Sequence, residues 1–243
     1  MSMSPTTASH PQFGASDPKV PLWRRSGFGR FSAVELLVTL VLLIALSPFF
    51  SETKHGSLVE SLLISIVLIL ATMTVGSRRW TFAVAIILVV PTLVARWLHH
   101  LNPGPLREEI YAASGLIFVL FAVGNLFHFI LRAPKVDLEV VCAGISGYLL
   151  LGIVWVLAYN IVWVHDPKAF AFTVTSPTGD VMQGFTAMYF SYVTLCTVGY
   201  GDIVPVTPAA RMLASVEAMT GTFYMAIMIA RLVSLYSSRK SNA

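Results

Sequence analysis

Thr194-Leu195-Cys196-Thr197-Val198-Gly199-Tyr200-Gly201-Asp202 is the stretch that decides the fold. Gly199 and Gly201 flank an aromatic residue, and glycine reaches backbone dihedrals that other residues avoid. That freedom lets the carbonyls of Thr197, Val198, Gly199, Tyr200 and Gly201 point together toward one axis. Just upstream lies a short apolar run, 182–195. A bilayer crossing needs about 20 mostly apolar residues, so this run is read as re-entrant or buried. Downstream lies a longer run, 209–236. Non-helical backbone between two such segments is tolerated at membrane depth only where protein buries it or water meets it.

Composition agrees with a lipid environment. Of 243 residues, 56% are hydrophobic and 12% charged, about half the charged share of an average soluble domain. Mean hydropathy is +0.76. A soluble fold of this size cannot hide so much apolar surface. The net charge of +4 is read as orienting the spans, and no nucleic-acid partner is expected. Cys142 and Cys196 have neither disulfide-framework nor zinc spacing.

Six runs are long enough to span: 32–50, 58–75, 80–98, 110–131, 138–164 and 209–236. Breaks such as Asn102-Pro103-Gly104-Pro105 separate them. Pro91 inside the third is expected to kink it. Orientation follows the excess of Lys and Arg on the cytoplasmic side. With the amino end inside, that side holds Lys19, Arg24, Arg25, Arg30, Arg78, Arg79, Arg132, Lys135, Arg231, Arg239 and Lys240. The other side holds only Lys54, Arg107, Lys168 and Arg211, with Arg96 near the outer end of the third span. Residues 1–30 are expected as a disordered cytoplasmic arm. No small-residue cleavage site follows Phe50, so the first run is expected to be a retained span rather than a signal peptide.

The central motif resembles the selectivity filter of the tetrameric potassium channels, and the likeness covers about residues 138–236. Ser191-Tyr192-Val193-Thr194-Leu195-Cys196 match the end of a pore helix, Thr197 to Gly201 the filter, and Asp202 its outer aspartate. Gly221 falls at the usual inner-helix glycine. By chance, Thr-Val-Gly-Tyr-Gly-Asp arises in about one of 10⁵ chains of this length, which argues against a plain glycine-rich turn. The resemblance implies rings of carbonyl oxygens that replace the water shell of K+. It places K+ at Thr197, Val198, Gly199 and Tyr200, with the Thr197 hydroxyl at the inner end. One motif per chain implies a homotetramer.

The expected fold is an all-α membrane protein with six transmembrane helices. A re-entrant pore helix and filter loop stand between the fifth and sixth, and the whole assembles as a homotetramer. The domains are an arm over 1–30, a four-helix domain over 31–132 resembling a degenerate voltage sensor, a pore domain over 137–237, and a short cytoplasmic tail over 238–243. Asp202, Thr194, Val193, Phe190 and Tyr189 are expected to support the filter. Two departures stand out. Tyr189 and Phe190 replace the two tryptophans of many voltage-gated relatives, and Phe190 has no donor for the filter tyrosine. Val193 stands where some relatives carry a carboxylate, so Asp202 must find another partner or water.

A voltage sensor needs regularly spaced cations, because each charge gains only about 2.3 kcal/mol per 100 mV. The run 110–131 contains no Arg or Lys, so little intrinsic voltage dependence is expected. The first four spans then form a packing collar, or sense lipid, tension or a small ligand. Asn125 and His128 share a helix face, either for interhelical hydrogen bonds or for a functional role. His99 and His100 are adjacent, so they point apart and do not share a metal.

In the last span, Met225 and Ile229 are expected to face the pore, with Val233 or Ser237 near the inner mouth. Gly221 serves either as a hinge or as a close-packing point. Glu217 is a carboxylate inside the span, and a buried carboxylate needs a proton or a partner. A hydrogen bond to the back of the pore helix or to a neighbouring subunit is expected, as a structural tie or as a regulatory, pH-sensitive site. Arg231 is expected to snorkel to the headgroups. After Tyr236 seven residues remain, so gating is expected from the membrane, the spans, ions or a partner.

The expected function is a passive potassium-selective channel in the cell inner membrane, with both termini cytoplasmic. Its partners are K+ and membrane lipids, and no cofactor is expected. The alternatives are a subunit of a potassium transporter, or a weakly selective cation channel. No nucleotide loop, zinc motif or nucleophile elbow points to an enzyme.

Overall fold

The computed structural model describes residues 32–51, 56–75, 79–101, 105–135, 137–173 and 181–241. The expected arm over 1–30 and the side chains of His99 and His100 lie outside them. The elements in chain order are α1 (Ser32–Ser51), α2 (Gly56–Val75), α3 (Arg79–Leu101), α4 (Pro105–Arg132) and α5 (Leu138–His165). They continue with β1 (Phe170–Phe172), α6 (Gly184–Leu195), β2 (Ile203–Pro205) and α7 (Pro208–Ser241).

Among the described residues, Trp80–Leu98, Glu109–Arg132, Leu138–His165 and Pro208–Ser234 are long and apolar enough to cross a membrane. The apolar stretches of α1 and α2 are shorter, Ala33–Phe49 and Ser61–Thr74. The helix α3 continues through Pro91. The helix α7 runs to Ser241, so most of the expected 238–243 tail is helical.

The local sequence explains where α5 and α7 begin. Asp137 caps α5, its carboxylate accepting from the Val140 N–H at 3.0 Å. Thr207 and Pro208 open α7, with the Ala210 N–H donating to Thr207 Oγ1 at 3.4 Å. Proline is tolerated at a first helical position because its missing N–H would have no partner there.

The described residues are mostly helical, with one short ribbon beside the helices. β1 and β2 pair antiparallel, with Phe170 opposite Pro205, Ala171 opposite Val204 and Phe172 opposite Ile203. Three-residue strands are too short to leave a readable alternation in the sequence.

The hub is α5. In its apolar window 61% of residues are buried, against 22% in that of α7. The helices α1 and α4 pack along it, α3 packs along α4, and α2 packs along α1 and α3. Leu36, Leu40, Val67, Phe118 and Ile130 join Leu150 of α5 in this collar core. A second core, around Tyr159, Phe170, Met182, Phe190 and Leu195, lies behind α6.

Candidate ion-conducting site

The loop after α6 is shaped by where its amides go. The Cys196 N–H donates to the Tyr192 carbonyl at 3.0 Å and the Thr197 N–H to the Thr194 carbonyl at 2.9 Å. Val198 and Gly199 both donate to the Val193 carbonyl, at 2.9 and 3.4 Å. The end of α6 thus binds the loop through the carbonyls a helix C-terminus leaves open. Thr197, Gly199 and Gly201 have φ of 57°, 57° and 77°, whereas Val198 and Tyr200 do not have positive φ. Alternating hand at successive residues turns their peptide planes the same way, as in backbone ion-binding concavities. A β-branched residue at positive φ is strained, and Thr197 holds that geometry inside this bonded turn. Among the described residues, no group donates to the carbonyls of Thr197, Val198, Gly199 or Tyr200.

The outer end of the loop is clamped separately. Thr173 donates its N–H to the Asp202 carbonyl at 2.8 Å, and its hydroxyl lies 2.9 Å from that oxygen and 3.3 Å from the Gly201 carbonyl. The Gly201 carbonyl is therefore engaged with the clamp that β1 and β2 form. Tyr189 donates to Asp202 Oδ2 at 2.7 Å and stacks on Tyr200, ring centroids 6.4 Å apart and planes 8° from parallel. The partner that Asp202 lacked in the sequence reading is thus Tyr189. Phe190 points elsewhere, edge-on against Tyr159 and Phe170 at 5.0 and 5.6 Å. It supports the back of α6, not the filter tyrosine.

Behind α6 the polar contacts cross between helices. Tyr148 donates to the Leu195 carbonyl at 3.3 Å, and Tyr192 to the Leu149 carbonyl at 2.8 Å. Glu217 of α7 is fully buried, with the Tyr159 hydroxyl of α5 against Oε2 and Ser191 Oγ of α6 at 2.6 Å from Oε1. Within this chain the partners of Glu217 lie on α5 and on α6. Gly221 lies against the end of α6, where an added Cβ would sit 2.3 Å from the Leu195 carbonyl oxygen. Close packing thus requires glycine there. Met225 and Ile229 are exposed on α7. Arg231 donates to the Ala133 carbonyl at 3.0 Å, tying the inner part of α7 to the link between α4 and α5. Asn125 donates to the Phe121 carbonyl of its own helix at 2.8 Å, and among the described residues it makes no interhelical bond.

Sequence reasoning missed Tyr159, Tyr148, Thr173 and the donor role of Ser191. An intramembrane Glu signals a polar cluster, but its partners are 26 and 58 positions away in the chain.

An ion-channel family model matches residues 147–238, the stretch that carries all of these contacts except those of Ala133 and Asn125. In that stretch the chain is similar to ion channels. Over 86 residues this chain is 36% identical to two pore potassium channel c of Oryza sativa subsp. japonica, covering 35% of this chain and 19% of the relative. Over 57 residues it is 46% identical to two-pore potassium channel 4 of Arabidopsis thaliana, covering 24% of this chain and 20% of the relative. A voltage-gated potassium channel of Aeropyrum pernix is 30% identical over 60 residues, 25% of this chain and 20% of the relative. The matches thus span about a fifth of these relatives' lengths. No solved structure matches the chain. Along the chain, α6 with its loop stands between α5 and α7, which are both long and apolar enough to span.

Proposed function

We propose that this chain is one subunit of a homotetrameric, potassium-selective channel that conducts passively and has no intrinsic voltage sensor. One observation carries the reading. The loop amides are used inward on the carbonyls of α6, while the carbonyls of Thr197 to Tyr200 remain without donors. Oxygens left in this way can replace the water shell of a bare cation. A single strand cannot surround an ion, so a ring of such oxygens needs copies around an axis. Val198 and Tyr200 are 51% and 70% exposed in one chain, which is surface that neighbouring subunits would cover. Phe223, Met225, Ile229 and Val233 on α7 are exposed in the same way.

In this reading α1 to α5 and α7 are six spans and α6 is re-entrant. The Lys and Arg distribution puts both ends on the cytoplasmic side of the inner membrane. The only ligand required is the permeant K+. The unbroken Thr197–Gly201 motif, present once, favours a channel over a transporter subunit.

The test is the reversal potential of the full chain in a planar bilayer with unequal K+ and Na+. A value near the potassium equilibrium potential supports the proposal. Current that reverses near zero overturns potassium selectivity.

A further inference from the structure

The cluster behind the filter has more contacts than hydroxyl protons. Ser191 Oγ lies 2.6 Å from Glu217 Oε1 and 2.9 Å from the Gly152 carbonyl. Tyr159 Oη lies against Glu217 Oε2. Three hydrogen bonds require three protons. The hydroxyls of Tyr159 and Ser191 bring one each, and a carbonyl or an ionised carboxylate brings none. A proton on Glu217 completes the set. Glu217 then donates to Ser191, Ser191 donates to Gly152, and Tyr159 donates to Glu217.

We propose that Glu217 is a positioning residue for the filter, and that it ties α5, α6 and α7 together as a neutral carboxylic acid.

The surroundings agree. Glu217 is fully buried, and a buried charge without a counter-charge is costly. The titratable groups around the cluster are Tyr148 and Tyr159 on α5, Tyr192 on α6 and Cys196 just after α6. None is a cation, and among the described residues no Lys, Arg or His pairs with Glu217. The neutral acid satisfies every contact without placing a charge at the base of α6. The space is tight as well. An added Cβ at Gly152 would sit 2.3 Å from the Tyr192 ring, which leaves no slack for α6 to move onto α5. Removing the proton leaves Ser191 one hydrogen for two acceptors, so α6 loses one of its anchors. The filter hangs from α6 through the Val193 and Thr194 carbonyls, so a shift of α6 moves it. The link to conduction rests on the channel reading above, whereas the proton on Glu217 does not.

Infrared spectra of the full chain in liposomes test the proton directly. A carboxylic-acid carbonyl band at neutral pH, shifted in D2O and absent in Glu217→Gln, is the expected result. Bilayer recordings of the same samples test the positioning. Gln supplies the N–H that the neutral acid supplies, so Glu217→Gln keeps the K+/Na+ permeability ratio within about twofold, and Glu217→Ala lowers it about tenfold. Raising the pH until the band disappears lowers the wild-type ratio and leaves Glu217→Gln unchanged. Absence of the band at neutral pH overturns the proposal, as does a Glu217→Gln ratio that falls with that of Glu217→Ala. A band present in a wild type that does not select K+ overturns the channel reading and the filter role, but not the neutral acid. If Glu217→Ala does not assemble, Glu217→Gln and the infrared band still decide.

Discussion

The collar of α1 to α4 and the back of the filter are both helical and both apolar, yet they use their polar side chains in opposite ways. In the collar these side chains turn onto their own helix. Thr39, Ser65, Thr72, Thr74, Thr92 and Asn125 all bond the carbonyl four residues earlier. Arg96 and Glu109 depart from this, Arg96 reaching Ser61 at 3.1 Å and lying over the Tyr111 ring, and Glu109 lying 3.5 Å from His165 of α5. Behind the filter the bonds run between helices: Tyr159 and Ser191 to Glu217, Tyr192 to Leu149, and Tyr224 to Gly144 at 2.7 Å. In lipid, apolar contact gives helices little preference for one register, because the tails are as apolar as leucine. Cross-helix hydrogen bonds contribute roughly 0.6 to 2 kcal/mol each and fix a geometry. The collar is thus held by shape, whereas the filter support is pinned by directional bonds.

Substitutions that attack each region in turn break or sharpen this contrast. Gly221→Ala is expected to have the largest effect. Its new Cβ meets the Leu195 carbonyl, and overpacking of that kind costs roughly 1 to 3 kcal/mol. Potassium flux from liposomes should fall about tenfold or more, and the melting temperature in detergent should drop with it. A glycine that served only as a hinge would change flux without changing the melting temperature, so the two readouts separate the roles.

Tyr189→Phe comes next. It keeps the stacking on Tyr200 and deletes the bond to Asp202, a loss of about 1 kcal/mol. Sustained current should decay faster than in the wild type. Identical decay would remove Tyr189 from the filter support. Arg231→Gln should have a smaller effect, because it weakens only the tie between α7 and the Ala133 link. A shift in open probability without a change in selectivity is the expected result of single-channel recording. Asn125→Leu should do least. Its bond stays within α4, and changes of this sort remain within about 0.5 kcal/mol. A large loss of flux or melting temperature there would show that the collar, too, is pinned by polar contacts. Tail-current analysis probes the collar from another side. With no Lys or Arg over 110–131, the effective gating charge should stay below about two elementary charges.

The turn over Thr197 to Gly201 was legible in the sequence because its shape is local. Glycines at 199 and 201 supply the positive φ, and the bonds that hold the turn reach back only three to six residues along the chain. The four helices long and apolar enough to span were legible for a similar reason, since hydropathy is summed along one continuous segment. Gly221 was ambiguous, because the group that forbids its side chain is a carbonyl 26 positions earlier. The packing of Phe190 was not legible. Tyr159 and Phe170 flank it in space, and neither lies near it in the chain.

By itself the sequence determined the long apolar runs, the short apolar run before the loop and the backbone freedom of Gly199 and Gly201, because hydropathy and dihedral preference belong to neighbouring residues. Only the tertiary structure decided that Asp202 pairs with Tyr189, that Thr173 closes the outer clamp, and that Glu217 joins α5 to α6. Those contacts exist because folding brings distant donors to within about 3 Å of their acceptors, and hydrogen bonding acts only at that range.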